Sequence, residues 1–253
     1  MNEFTFQILN QEHQRILAEA DKKQILIRLL GALAFDLQCP KYSELRRALG
    51  RTLSDLDYMA ISKQWERIVE LLTGLGYSFD ERRAMLHGLD RVMFYHTNGL
   101  RVDIFFDQLD MCHKIDFRDR LMINSQTISI SDLLLEKLQI VKINEKDIID
   151  IIILLLEHPI VESEEGINNS YIARRMASDW GFYYTAKSNL LLIRDNFLHK
   201  YDLIDEQNRK TVNDKIDQLL TRIDIEPKTI QWKMRAQIGT KVKWYKDVGE
   251  LER

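Results

Sequence analysis

The stretch from residue 51 to residue 61 places two aspartates inside an otherwise apolar run, and this pattern limits the local fold. Asp55 and Asp57 stand two residues apart among leucine, tyrosine, methionine and isoleucine. In a β-strand the side-chain period of two turns both carboxylates to one face, with their Cα atoms roughly 6.5–7 Å apart. Such a pair can converge on one hard cation, and Mg²⁺ suits it, since this ion takes one or two protein carboxylates plus water and phosphate oxygens. The stretch therefore predicts a strand that carries a metal site.

A third aspartate stands in a similar apolar setting further along the chain. Asp103 lies between Val102 and Ile104, and Asn98-Gly99 separates this run from the apolar run before it. An Asn-Gly pair between two such runs predicts a tight β-hairpin. We therefore expect strands at 77–79, 91–96 and 100–106, with Asp103 on the strand that follows the turn.

Gly31-Ala32 interrupts the apolar run from residue 25 to residue 35. Residues 25–30 are consistent with a buried strand, and Gly31-Ala32 would then form the tight turn into a helix. Small residues at such a turn let a phosphate or a neighbouring strand approach the backbone closely. A plain buried helix through 25–38 is the alternative.

The order of these elements predicts an α+β fold with two parts. Strands alternate with helices and then continue as a hairpin, which indicates a mixed β-sheet with flanking helices over residues 1–126. Residues 127–253 are mainly helical in pattern. Helix signals there include Ser129-x-x-Asp132 and Asn144-x-x-Asp147, with further helices at about 168–179, 184–200 and 208–223. In the first part, Ser62 is expected to cap a helix from 63 to about 73.

Composition narrows the class of protein. The chain has 253 residues, 45% of them hydrophobic, and a formal net charge of −3, which gives it no overall attraction to nucleic acid. Two cysteines make no disulfide framework, and no secretory leader is recognisable. No apolar run approaches the ~20 residues that a membrane span requires. We expect a soluble cytoplasmic protein without a membrane partner.

Taken in order, Gly31-Ala32, Ser54-Asp-Leu-Asp57 and Val102-Asp-Ile104 resemble the nucleotidyltransferase superfamily with a polymerase-β-like palm. Lys137 and the later Lys146-Asp-Ile-Ile-Asp150 extend the resemblance. Together they look like the bacterial minimal nucleotidyltransferases that include the toxins of abortive-infection type E systems. The resemblance covers roughly residues 20–160.

The resemblance implies an enzyme that transfers a nucleoside monophosphate from an NTP to an acceptor, which would be RNA, a protein hydroxyl or a small molecule. It implies that two Mg²⁺ ions bind at Asp55, Asp57 and Asp103. It further implies that Lys137 reaches the triphosphate and that Asp147 with Lys146 lines the nucleotide site, so that residues 127–253 complete that site. The family has Gly-Gly or Gly-Ser where this chain has Gly31-Ala32. A backbone contact to phosphate remains open at Ala32, whereas a side-chain hydroxyl is lost.

Structural explanations compete with these roles. Lys137 is also consistent with a solvated helix lysine, and Asp147 with the third residue of a capped helix. Arg51, four residues before Asp55, either holds phosphates or lies on the surface. Asp150 stands within an isoleucine run, where an unpaired carboxylate is costly, and so predicts a buried Arg or Lys partner.

The segment from residue 227 to residue 246 mixes basic and aromatic residues. This mixture is typical of a nucleic-acid contact, but the alternation at 241–244 favours a terminal strand packed on the body. For the whole chain, the alternative to an enzyme is an inactive protein of the same fold that acts as a regulatory or interaction partner. A degraded copy is expected to lose one of the three aspartates, and all three are present.

Overall fold

A computed structural model describes residues 5–79 and 90–248. Its chain divides into two compact units that each contain several separate segments. Unit 1 comprises Met1–Leu37, Thr52–Leu109 and Ile115–Ser129, and unit 2 comprises Gln38–Arg51, Asp110–Lys114 and Ile130–Arg253.

Unit 1 contains a five-stranded mixed sheet in the order β1-β2-β5-β4-β3. Its strands are β1 (Ile27–Leu30), β2 (Leu56–Ala60), β3 (Tyr77–Phe79), β4 (Arg91–His96) and β5 (Arg101–Phe106). The pair β2 and β5 is parallel, and the other neighbours are antiparallel. Aliphatic and aromatic side chains of β1, β2 and β5 are almost all buried, which places these strands in the core of the unit.

Three helices of unit 1 follow the apolar pattern of the sequence. They are α1 (Phe6–Lys22), α2 (Gly31–Gln38) and α4 (Trp65–Gly74). Thr5 caps α1 by accepting a hydrogen bond from the backbone N–H of Ile8. In α4 the buried residues Ile68, Leu71 and Leu72 recur at helical spacing, so one stripe of the helix is apolar.

Unit 2 is built mainly from helices. Its helices are α3 (Ser43–Ala48), α5 (Ile130–Leu138), α6 (Glu145–Glu157), α7 (Asn169–Ser178), α8 (Trp180–Leu192), α9 (Glu206–Ile225) and α10 (Ile230–Ile238). The short strands outside the main sheet are β6 (Gln108–Asp110), β7 (Lys114–Asp116), β8 (Ile160–Val161) and β9 (Ile167–Asn168). From residue 147 to residue 156, α6 is buried on every side, so this helix forms the centre of the unit.

Most of the predicted architecture is confirmed. The fold is α+β, with a mixed sheet and flanking helices followed by a mainly helical C-terminal part. The strand at 27–30 runs directly into α2 at Gly31, so the alternative of one continuous helix over 25–38 is wrong. Among the described residues, no helix combines the length and apolar content that crossing a bilayer requires.

Two local predictions are wrong. Ser62 does not cap α4, because its hydroxyl donates to the carboxylate of Asp107 at 2.6 Å and its own backbone lies in a 3₁₀ turn before the helix. The expected terminal strand at 241–244 is absent from the described chain. A 3₁₀ turn ends at Lys241, and the residues after it form no strand pairing.

Candidate metal centre

The pairing of β2 with β5 brings the three predicted aspartates of unit 1 together. In this parallel pair Asp57 stands directly opposite Asp103. Asp55 lies one residue before β2 and two residues before Asp57, so it belongs to the same face. The spacing of two within one strand and the register between two strands therefore place all three carboxylates at one end of the sheet face.

The carboxylates form a compact group of oxygen atoms. One oxygen from each of Asp55, Asp57 and Asp103 lies within 4.8 Å of the others. The side chain of Asp103 is fully buried, whereas that of Asp55 is 15% exposed. The hydroxyl of Ser54 donates to Oδ1 of Asp55 at 2.9 Å. The group is thus closed on its Asp103 side and open to solvent beside Asp55.

Two arginines contact the group, and they do so differently. Arg91 donates through Nη2 to Oδ2 of Asp103 at 2.7 Å, and its guanidinium lies over the ring of Phe105. Arg101 donates through Nη2 to Oδ2 of Asp55. Its Nε also faces Oδ1 of Asp103 at 3.5 Å, too poorly aligned for a hydrogen bond. Among the described residues, Asp55 and Asp103 thus each form an ion pair with an arginine.

Burial and these contacts act in opposite directions on the pKa of Asp103. Burial raises the pKa of this carboxyl, Arg91 and Arg101 lower it, and the neighbouring Asp55 raises it; the net direction is upward. For Arg101, burial lowers the pKa, but attraction to Asp103 and Asp55 prevails and raises it. Desolvation and the like charge of Asp55 thus outweigh the attraction of the two arginines for this carboxylate.

Gly31 fits against the same group. Its φ is +71°, a left-handed conformation that glycine adopts freely. A Cβ atom built at this position would lie 2.3 Å from Oδ2 of Asp57. The turn between β1 and α2 thus approaches the carboxylate more closely than it could with any other residue at position 31. It also directs the N-terminal end of α2, where Ala32 is buried, toward Asp57.

The residues present fit a hard divalent cation. All three candidate ligands are carboxylates, the donor type that Mg²⁺ prefers. Oδ1 of Asp103 is buried and has no hydrogen-bond partner within the part of the chain that the structure describes. An acceptor left in this way is costly, and a bound cation would satisfy it.

Unit 2 contains four of the other predicted site residues. An ion network joins three of them, Arg51, Lys137 and Asp147. Lys137 lies 3.3 Å from Asp147 and 3.7 Å from Asp150, and it also pairs with Glu136 at 3.0 Å. Arg51 pairs with Asp150 at 3.0 Å. Burial lowers the pKa of Lys137, but the three carboxylates outweigh burial and raise it. Lys137 is therefore a buried, charged residue, and its interpretation as a solvated lysine is wrong.

The buried partner expected for Asp150 is confirmed. Arg46 donates through Nε to Oδ1 of Asp150 at 2.8 Å, and both side chains are fully buried. Asn144 caps α6 through the backbone N–H of Asp147, so Asp147 is the third helical residue while its carboxylate serves Lys137. Lys146, the remaining candidate, is exposed on the first turn of α6.

The basic and aromatic segment near the C-terminus uses its aromatic rings internally. Trp244 packs edge-on against Trp180 and Tyr184, and Trp232 packs edge-on against Tyr183. These ring contacts give Trp232 and Trp244 a structural role within the chain. The exposed apolar side chains of this segment are aliphatic instead: Ile230, Met234, Ile238 and Val242.

Sequence reasoning missed Arg91, Arg101 and Arg46. Arg101 precedes Asp103 by two residues, and the strand period places the two on one face, so this signal was present in the sequence. Arg91 reaches Asp103 across the β4–β5 register, in which Met93 is opposite Asp103. Only the hairpin register reveals that neighbour.

Comparison of the sequence with protein-family models finds no matching family, and comparison with curated proteins finds no matching protein.

Proposed function

We propose that this protein is a metal-dependent nucleotidyltransferase that transfers a nucleoside monophosphate from an NTP to an acceptor hydroxyl. One observation carries the proposal: three carboxylates on neighbouring parallel strands have oxygens within 4.8 Å of one another. Oδ1 of the buried Asp103, which has no hydrogen bond within the described part of the chain, supports it further. Phosphoryl-type transfer depends on positioning and charge neutralisation, and a carboxylate group of this kind serves both.

In this proposal each residue of unit 1 has a defined task. Asp55, Asp57 and Asp103 hold Mg²⁺, which when bound would supply positive charge to the triphosphate and to the attacking oxygen. The backbone at Gly31 and Ala32, at the start of α2, faces the phosphates. The acceptor oxygen forms a bond to the α-phosphorus, the bond from that phosphorus to the bridging oxygen breaks, pyrophosphate leaves, and the hydroxyl proton passes to solvent.

The proposed nucleotide contacts of unit 2 rest on the resemblance rather than on geometry. Lys137, Asp147 and Arg51 already have ion-pair partners there, and this network accounts for their burial on structural grounds. Their roles at the nucleotide, and that of Lys146, stay predictions. In this proposal the acceptor is an RNA, a protein hydroxyl or a small molecule.

The first test measures metal binding alone. Mn²⁺ is titrated into the wild type and into the Asp55→Asn/Asp57→Asn variant, and free Mn²⁺ is followed by electron paramagnetic resonance. We expect wild-type binding to fall at least tenfold in the variant, because two of three anionic ligands are lost. The matched control is Asp195→Asn/Asp217→Asn, which removes the same charge from two exposed carboxylates that pair with Arg194 and should leave Mn²⁺ binding unchanged.

The second test measures nucleotide binding and transfer. Thermal unfolding is followed with each of the four NTPs, with and without Mg²⁺. A ligand at about 100 times its Kd adds roughly 2.7 kcal/mol to the free energy of unfolding. The wild type should show this gain only with Mg²⁺, and the Asp55→Asn/Asp57→Asn variant should not show it. Labelled NTP is then offered with RNA and with protein. If the wild type neither binds Mn²⁺ nor responds to any NTP, the alternative of an inactive interaction partner replaces this proposal.

A further inference from the structure

The two arginines at the carboxylate group contact different carboxylate oxygen atoms. Arg91 bonds to Oδ2 of Asp103 and leaves Oδ1 of the same carboxylate without a hydrogen bond. Arg101 pairs with Asp55, and its Nε lies 3.5 Å from the buried Oδ1 of Asp103. Arg101 thus lies beside both carboxylates, whereas Arg91 holds Asp103 by its other oxygen.

We infer that Arg101 is an exchangeable counter-ion: it neutralises Asp55 and Asp103 when no metal is bound, and it turns to the phosphates of the substrate when metal and triphosphate enter together. This inference rests on the proposed function. It assigns Arg91 a different role, that of a positioning residue that fixes the orientation of Asp103 from outside.

The geometry around Arg101 supports exchange. Its side chain is 27% exposed, on the open side of the group, and its Nε contact to Asp103 is long and misaligned. The contact with Asp103 is therefore weak, and the hydrogen bond to Asp55 is the one that an incoming metal ion has to replace. By contrast Arg91 makes an aligned 2.7 Å bond, and the ring of Phe105 supports its guanidinium from below at 5.0 Å.

Charge supports the second half of the inference. A metal ion placed between Asp55 and Asp103 meets the guanidinium of Arg101 at close range, and two cations repel. A triphosphate that arrives with the metal restores the balance, because it brings negative charge to the same place. The planar, always charged guanidinium matches phosphate oxygens with paired N–H donors. Because Mg²⁺ completes its shell with substrate phosphates, these oxygens lie within reach of a residue that touches the metal ligands.

The test uses two probes that need no knowledge of the base or the acceptor. Mn²⁺ alone is titrated as above, and Mg²⁺ with tripolyphosphate is titrated by calorimetry. The variants are Arg101→Gln, which removes the charge, Arg101→Lys, which keeps it, and Arg91→Gln. Circular dichroism and thermal unfolding verify that each variant is folded.

We expect the two probes to respond in opposite directions in Arg101→Gln. Mn²⁺ should bind about three- to tenfold more tightly, because a competing charge is gone. Magnesium tripolyphosphate should bind about tenfold more weakly, because a phosphate ligand is gone. Arg101→Lys, which keeps the charge but lacks the paired N–H donors, should stay near the wild type for Mn²⁺ and bind magnesium tripolyphosphate more weakly than the wild type. Arg91→Gln should bind Mn²⁺ more weakly, since Asp103 loses the donor that orients it.

If Arg101 had a purely structural role, Arg101→Gln would bind both probes more weakly, and that result overturns the inference. Unchanged Mn²⁺ binding in Arg101→Gln overturns it as well while leaving the metal site in place. If Arg101→Gln does not fold, Arg101→Lys decides, because a lysine that weakens Mn²⁺ binding contradicts a counter-ion role. Failure of the proposed function looks different: neither the wild type nor any arginine variant would bind Mn²⁺ in a manner that depends on Asp55 and Asp57.

Discussion

Gly31 illustrates how one residue fixes the shape of the candidate site. A methyl group at this position would overlap Oδ2 of Asp57, and the φ of +71° is unfavourable for any side chain. We predict that Gly31→Ala lowers the free energy of unfolding by roughly 1–3 kcal/mol. It should also weaken Mn²⁺ binding at least tenfold, because Asp57 must move. Urea unfolding and the Mn²⁺ titration measure the two effects separately.

The matched control for this change is Gly239→Ala. Gly239 also has a positive φ, +60°, but apart from its own chain neighbours no described atom lies within 4 Å of the position that its Cβ would take. Strain should therefore lower stability there without any effect on Mn²⁺. If both alanine variants bind Mn²⁺ like the wild type, the close approach of Gly31 to Asp57 has no part in metal binding.

Single residues also show how far the sequence alone reaches into the site. The period of two predicted that Asp55 and Asp57 share a face, and the Asn98-Gly99 turn predicted a strand for Asp103. The sequence could not predict that β2 pairs with β5 in parallel with Asp57 opposite Asp103, since register between distant strands depends on the whole sheet. The contact of Arg91 with Asp103 depends instead on the register of the β4–β5 hairpin, in which Met93 is opposite Asp103.

At the scale of elements, unit 2 joins three helices through buried charge. Arg46 of α3 and Lys137 of α5 both pair with Asp150 of α6. Attraction to Arg46, Lys137 and Arg51 outweighs burial and lowers the pKa of Asp150. Removing a buried partner leaves uncompensated charge, which costs far more than the pair contributes. The helices α3, α5 and α6 therefore depend on this carboxylate for their packing.

We predict that Asp150→Asn lowers the free energy of unfolding by about 3 kcal/mol or more. Neutralising this carboxyl removes the charge to which the buried Nε of Arg46 donates. The control is Asp217→Asn in α9, which removes an exposed ion pair with Arg194. It should lower the free energy of unfolding by less than about 1 kcal/mol. Urea unfolding at neutral pH compares the two. Equal small losses would show that the network contributes little to stability.

The start of α6 gives a second prediction at this scale. Asn144 accepts a hydrogen bond from the backbone N–H of Asp147 at 3.0 Å and so caps the helix. Asn144→Ala should lower the free energy of unfolding by about 1 kcal/mol, and Asn144→Asp, which keeps an acceptor, should change it little. Urea unfolding of the three proteins tests this expectation. A loss as large in Asn144→Asp as in Asn144→Ala would contradict a capping role.

Elements with local signals were predictable, and elements without them were not. Asn144-x-x-Asp147 identified the start of α6 correctly because the capping hydrogen bond lies within four residues. Ser62 offered the same local signal, yet the carboxylate of Asp107, distant in sequence, takes its hydroxyl. At 241–244 the alternating pattern suggested a strand, but that segment has no strand neighbour in the described chain. Alternation alone does not make a sheet.

Across the whole molecule, the two-part organisation is only partly visible in the sequence. The change from mixed to mainly helical character near residue 127 lies close to the end of the last segment of unit 1 at Ser129. The segments 38–51 and 110–114 belong to unit 2 although they precede that point. In the first of these segments, Arg46 and Arg51 pair with Asp150, which is about 100 residues later. Such long-range pairing leaves no local pattern.

Each unit also contains a histidine that burial keeps neutral, and this property predicts how the protein responds to acid. In unit 1 His13 is fully buried and bonds to the hydroxyl of Tyr58 at 2.9 Å, and burial lowers its pKa to about 4. In unit 2 His113 stacks on Phe182 and bonds to Thr185 at 2.8 Å. Burial lowers the pKa of His113 to about 4 as well.

Between about pH 6.5 and about pH 4 the unfolded chain binds protons at these histidines and the folded protein does not. The free energy of unfolding should therefore fall as the pH is lowered through this window. Each histidine contributes at most about 3.5 kcal/mol, since its pKa falls from 6.5 to about 4 and one pKa unit corresponds to about 1.4 kcal/mol. Above the window neither histidine adds any dependence on pH. Urea unfolding at pH 7 and pH 5 measures the slope.

We predict that His13→Gln and His113→Gln each reduce this slope, because glutamine keeps a hydrogen bond without a titrating proton. Either variant is expected to be less stable than the wild type at pH 7, so the difference between the two pH values is the quantity to compare. His199→Gln serves as the control, because His199 is exposed. If the wild type loses no stability between pH 7 and pH 5, neither histidine is held neutral by burial. If the slope changes equally in all three variants, the acid response arises from the denatured chain. That chain contains the same histidines as the folded protein but does not bury them.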